Sequence, residues 1–224
     1  MLAFMSYQTD DRHVAATVAQ LLGKLGVHCF MAHEHIEVSV QWRDEILRQI
    51  GLADLFVPIL SQRYYASIWC KQESGIAAFR RMTIIPLSTD GSTPQGAINH
   101  IQSSLLVGLQ PTYQQILPGL ASHDVSFTID AATNIIYRSG TFRSAEANFQ
   151  LILPYLHRAT DAQVAALLNV ARQNDQVHHA SLCAREYLPP LMRSHGHLLQ
   201  PEVRDYLNQI LAQYAAPPPM PATR

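Results

Sequence analysis

The sequence predicts an open parallel α/β sheet followed by an all-helical domain. Three observations predict it: short runs of almost unbroken apolar residues, helix-period segments between them, and a change of character beyond residue 122. A chain of 224 residues is long for one average domain and short for two large ones, so one full domain with a smaller partner fits. With 48% hydrophobic and 15% charged residues there is material for a core and too little charge for a disordered chain.

The apolar runs are LAFMSY at 2–7, VHCFMA at 27–32, DLFVPIL at 54–60 and MTIIPL at 82–87. They are continuous rather than alternating, as in strands covered on both faces of a parallel sheet. Between the first two, DDRHVAATVAQLLGKLG sets Val14, Val18, Leu21 and Leu25 on one helical face and ends at Gly26. Between the next two, SVQWRDEILRQIGLA opens with Ser39 as N-cap and stacks Trp42, Ile46 and Ile50. Strand and helix alternate in repeats of roughly 25 to 30 residues, the pattern of an open α/β sheet. Pro58 and Pro86 lie inside the third and fourth runs, toward their carboxyl ends, where pairing is expected to fail and where ligands bind in such sheets.

Residues 123–140 read as a polar connector. Helices are then predicted at 141–157, 161–173, 176–195 and 201–214, with Pro189 and Pro190 breaking or kinking the third. The domain reading is therefore 1–122 for the α/β domain, 123–140 for the connector, 141–215 for the helical domain and 216–224 for a proline-rich, disordered tail.

Composition also excludes function classes. Net charge is −1 and the Lys and Arg residues are scattered, so the cationic footprint of a nucleic-acid or anionic-lipid partner is missing. No stretch reaches the ~18 apolar residues of a membrane span, and the start lacks a basic leader. Cys29, Cys70 and Cys183 offer no disulfide framework, which points to a reducing compartment and a cytoplasmic location. The first strand is followed by SYQTDD rather than a glycine-rich phosphate loop, and there is no nucleophile elbow or paired C-x-x-C. Metal binding has only His33 and His35, with Cys29 and Glu37 nearby, too few convergent ligands for zinc. His178 and His179 read as ordinary surface or core histidines.

One carboxylate stands out. In SIWCKQESGIA, Glu73 lies four residues after Trp69, so on a helix the two side chains share a face. Cys70, beside them, reads as a small buried apolar residue.

The segments AFMSYQTDD, FMAHEHIEVSVQWRDEI, ADLFVPILSQRYYASIWCKQESGIA and IIPLSTDGSTPQGAINHIQ resemble, in order and spacing, the successive boxes of a bacterial-type TIR domain over residues 2–102. The resemblance implies a flavodoxin-like sheet and one of two activities: NAD cleavage at the nicotinamide–ribose bond, or adhesive signalling as an adaptor. In the enzymatic group the catalytic glutamate follows a tryptophan by four residues, the position of Glu73. Tyr7, Gln8, Trp42 and Trp69 match positions around the bound NAD, though many catalytic relatives carry Arg or another polar residue where Gln8 stands, and Gln8 brings no charge. Trp69 reads equally well as a core anchor of the Glu73 helix. The loop holding Glu34 and His35 matches the one through which TIR domains stack, completing the pocket between neighbours. NAD is then the substrate, with no separate cofactor, and the product is ADP-ribose or a cyclic isomer. The implied setting is antiphage defence of the Thoeris kind, with self-association and a downstream effector as partners. A phosphoryl receiver is the weaker α/β reading, since PILSQRYY offers no acceptor Asp.

Overall fold

The computed structural model describes residues 1–31 and 42–215, and at Trp42 the backbone alone. Residues 32–41, with His33, Glu34, His35 and the expected N-cap Ser39, and residues 216–224 lie outside the described residues. The chain divides into two compact units, the first ending at Asp124 and the second beginning at Val125.

The first unit runs β1 (Leu2–Ser6), α1 (Arg12–Lys24), β2 (His28–Met31), α2 (Trp42–Leu52), β3 (Leu55–Leu60), α3 (Gln62–Ala66), α4 (Ile68–Phe79), β4 (Thr83–Ile84), β5 (Leu87–Ser88), β6 (Ser104–Leu105) and α5 (Tyr113–His123). The strands form one sheet in the order β2-β1-β3-β5-β6, with β4 also on β3, and every pairing is parallel. This is the predicted open α/β sheet with a flavodoxin-like strand order.

Register explains the core. Phe4 pairs with Phe30 on one side and with Phe56 on the other, so three adjacent strands set a phenylalanine row on one face. Their ring centroids lie 5.6 and 6.1 Å apart, and Ile46 and Ile50 of α2 and Ala77 of α4 cover them. The alternate residues Ala3, Met5, Leu55 and Val57 are equally buried, which is why the runs do not alternate. In α1 the buried face is Val14, Ala15, Val18 and Leu22, with Leu25 just beyond its end; of the predicted stripe only Leu21 departs, being half-buried with Leu22 in its place.

The two prolines correct the strand reading. Pro58 sits within β3, a central strand, and not at a failing end. The register that pairs Phe56 with Ile84 and Ile59 with Leu87 sets Pro58 opposite Pro86. The fourth strand splits into β4 and β5 at this point, where Pro58 has no N–H to offer it; the Pro86 backbone faces the other side, its carbonyl accepting from the Ser104 N–H at 3.0 Å, and pairing with β3 resumes one residue later. Against this interruption α5 brings Gly119, where an added Cβ would lie 2.5 Å from Ile85 Cγ1.

The second unit contains α6 (Val125–Tyr137), α7 (Phe142–Ile152), α8 (Asp161–Gln173), α9 (Asp175–His178), α10 (Leu188–His195) and α11 (Pro201–Ala215). Most of the segment expected to be a connector is the helix α6. Its buried stripe of Ile129, Ala132 and Ile136 is disguised by threonines, and Thr133 satisfies its buried hydroxyl by donating to the Ile129 carbonyl at 2.8 Å. Thr141 and Thr160 cap α7 and α8 through reciprocal bonds with Ser144 and Gln163. The predicted helix 176–195 is interrupted near Ala180 rather than at its prolines.

Candidate active site

β1 and β3 are neighbours, while the chain passes from β1 outward to β2 before returning to β3. The order reverses at that point, and the crevice beyond the carboxyl ends of such strands is where open α/β sheets take ligands. A cavity of about 670 Å³ lies there, a volume suited to a small molecule. β1 and the turn after it supply Tyr7, Gln8 and Asp10, α3 supplies Arg63, and α4 supplies Trp69, Cys70 and Glu73.

The four-residue step on α4 does what helical geometry requires: Trp69 and Glu73 both line the cavity. They differ in depth. Glu73 is 7% exposed, whereas Trp69 is 42% exposed, so of its two readings the core anchor does not hold. Ser67 begins the helix by accepting the Cys70 N–H, and α4 directs Glu73 toward the end of β1.

Ser6, the last residue of β1, donates its hydroxyl to Glu73 Oε2 at 2.5 Å. Tyr64 Oη lies 3.0 Å from Ser6 Oγ and 2.8 Å from Ser74 Oγ, and it donates to the Cys70 carbonyl at 3.2 Å. A buried hydroxyl chain therefore fixes the carboxyl from behind. Burial pushes the Glu73 pKa up to about 7, against the opposing pull of the Ser6 hydrogen bond. Near neutral pH this carboxyl is poised between its two forms. The Cys70 thiol is pushed up to about 11, chiefly by burial, and is no nucleophile at neutral pH.

A second set of contacts holds the crevice walls. Ser61, after β3, donates to the buried Asp11 carboxylate at 2.7 Å and also caps α3 through the Tyr64 N–H at 3.1 Å. Gln8 accepts the Asp10 N–H at 2.7 Å, which forms the turn after β1. Arg63 brings a cation to this cavity, 3.6 Å from Asp10 in an exposed pair.

A family model described as the TIR domain matches residues 3–117. The chain belongs to the TIR-domain family. No curated protein and no solved structure gives a significant match to it. TIR domains include NAD-cleaving enzymes and non-catalytic adaptors, and they associate with one another.

Of the residues singled out in the sequence, this TIR domain brings Tyr7, Gln8, Trp69 and Glu73 to one cavity. Trp42 opens α2, but its side chain, with Glu34 and His35, lies outside the described residues. Ser6, Tyr64 and Arg63 escaped the sequence reading. Ser6 stood in a run read only as strand, and Arg63 stood in SQRYYAS, where nothing marks the short α3. Among the described residues no group of three His, Cys, Asp or Glu side chains is placed to hold a metal, and no helix is long and apolar enough to cross a membrane.

Proposed function

We propose that this TIR domain cleaves NAD at the nicotinamide–ribose bond, with Glu73 as the catalytic carboxylate. The observation that carries the reading is the buried Glu73 carboxyl, held by Ser6 and lining the crevice where the strand order reverses. Nicotinamide in NAD is already a cationic leaving group. It departs with the electron pair of the C1′–N bond and needs no second carboxyl as general acid, unlike an ordinary glycoside. What develops is positive charge on the ribose, and an ionised Glu73 hydrogen-bonded to the ribose hydroxyls opposes it in a site of low dielectric.

Tyr7 and Trp69 give aromatic walls for the nicotinamide riboside, and Arg63 with Gln8 faces the pyrophosphate. Trp42 encloses the ligand from α2, and the loop of Glu34 and His35 completes the pocket against a neighbouring copy. Water at C1′ gives ADP-ribose and a proton, whereas a nitrogen of the adenine or a ribose hydroxyl gives a cyclic isomer. The setting is antiphage defence inside the cell, either by NAD depletion or by a nucleotide signal to an effector, with the helical unit controlling assembly or sensing a trigger.

A second reading, a non-catalytic adaptor, is favoured by an exposed apolar surface: Leu47, Trp69, Ile76 and Phe79 edge a shallow depression, with Phe79 89% exposed. Incubation of the purified protein and of Glu73→Ala with NAD separates the two. Nicotinamide release by the wild type that vanishes in the folded variant supports the enzyme, and the adenine-containing product names its type. No release by wild type whose self-assembly is verified by light scattering rejects the enzyme in favour of the adaptor.

A further inference from the structure

Pro189 and Pro190 bring no backbone N–H to their helix, so the carbonyls of Arg185 and Glu186, four residues earlier, have no α-helical donor. The helix spanning 181–195 does not break at this point; it widens. Cys183–Tyr187 is π-helical, and the Leu188 N–H bonds the Cys183 carbonyl five residues back. Such turns recur at functional sites.

The widening redirects two arginines. On an unbroken α-helix, residues eight apart differ by about 80° in direction, since ~100° per residue makes two turns and a remainder. A π turn holds more residues than an α turn and advances less per residue, so it takes up part of that offset and swings Arg185 and Arg193 toward one face. Both line a cavity of about 620 Å³ between α10 and α11, together with Pro189, Met192, Asn208 and Leu211. Neither arginine makes an ion pair among the described residues, and no Asp or Glu lines this cavity. Tyr214 lies at its edge, fixed by a hydrogen bond from its hydroxyl to the His179 carbonyl at 3.2 Å.

We propose that this cavity of the helical unit binds a small phosphorylated molecule, its phosphate held by Arg185 and Arg193 and its body lying on Pro189, Met192 and Leu211. Two uncompensated guanidinium groups on one face repel each other, and an anion between them removes that cost. Guanidinium forks also match phosphate oxygens in pairs. The mixed lining suits a ligand with a planar or apolar part, and the volume admits one of nucleotide size. This site is independent of Glu73 and of NAD cleavage.

The test is titration of the full chain with ADP, with adenosine as the uncharged control, followed by calorimetry and by backbone amide shifts. The expected result is ADP binding that perturbs residues 184–193 and 208–215, with adenosine at least about tenfold weaker. Both arginines are exposed, so Arg185→Gln with Arg193→Gln leaves the fold intact and weakens ADP by about 30-fold or more. The proposal is overturned by no binding at millimolar ADP, by shifts confined to the crevice around Glu73, by adenosine binding as tightly, or by unchanged affinity in the double variant.

Discussion

Glu73 in the TIR unit and His178 in the helical unit are both buried titratable side chains whose charged forms are disfavoured by burial. Their surroundings differ. His178 is fully enclosed, with Nδ1 donating to the Ala171 carbonyl at 2.7 Å and Nε2 accepting from Tyr206 Oη at 3.3 Å. Both ring nitrogens are occupied, Asp175 Oδ1 also lies 3.4 Å from Nε2, burial holds the pKa below its ordinary value, and Tyr206 stands edge-on to the ring at 5.4 Å. Glu73 opens onto a cavity and accepts a hydrogen bond from Ser6. Burial alone therefore does not mark a site; a buried ionisable group with room beside it for a ligand does.

The comparison is broken most sharply by deletion. On the catalytic reading Glu73→Ala lowers NAD turnover by about 10³-fold or more, equivalent to ~4 kcal/mol of barrier, while the variant stays folded. His178→Ala instead acts on stability: it opens a cavity and strands the Ala171 carbonyl, costing roughly 2–4 kcal/mol in denaturant unfolding. A His178→Ala variant as stable as wild type would remove the distinction from its structural side.

The two groups also respond to pH with opposite sign. The folded pKa of Glu73, about 7, lies above its ordinary 4.5, so its contribution to stability is complete below 4.5 and is lost as pH rises through 7. His178 is held below its ordinary 6.5, so its contribution is present above 6.5 and is lost as pH falls through its lowered folded value. Accordingly Glu73→Gln is more stable than wild type at pH 8 by about 2–3 kcal/mol, a gap that closes below pH ~4.5. Unfolding curves at those two pH values check it, and a gap that does not change with pH contradicts it.

The smallest effect concerns positioning. Ser6→Ala removes the hydrogen bond that favours the ionised carboxyl, so the Glu73 titration moves to higher pH, by an amount worth about 1 kcal/mol. A titration that stays in place would show that Ser6 only packs.

The sequence carried the parts of this picture that depend on local periodicity. β1 and β3 were legible because burial on both faces leaves unbroken apolar runs, and the shared face of Trp69 and Glu73 was legible because a four-residue step on a helix is a fixed geometry; the role of Glu73 came from the resemblance to TIR domains. The split of the fourth strand was not, since it depends on Pro86 standing opposite Pro58 across a register no single segment encodes. The helix α6 was hidden by polar residues such as Thr133, whose hydroxyl bonds back to its own turn. Ser6 and Tyr64 meet across 58 residues of chain, and only the fold reveals that they hold the carboxyl.

The most direct measurement is the titration of the Glu73 carboxyl by carbon NMR, set beside the pH dependence of nicotinamide release from NAD by the same assembled protein. The account predicts one inflection near pH 7 in both, with release rising as the carboxyl ionises, and neither the signal nor the release in Glu73→Gln. Release that is flat across pH 5 to 8, or that persists in Glu73→Gln, would contradict it.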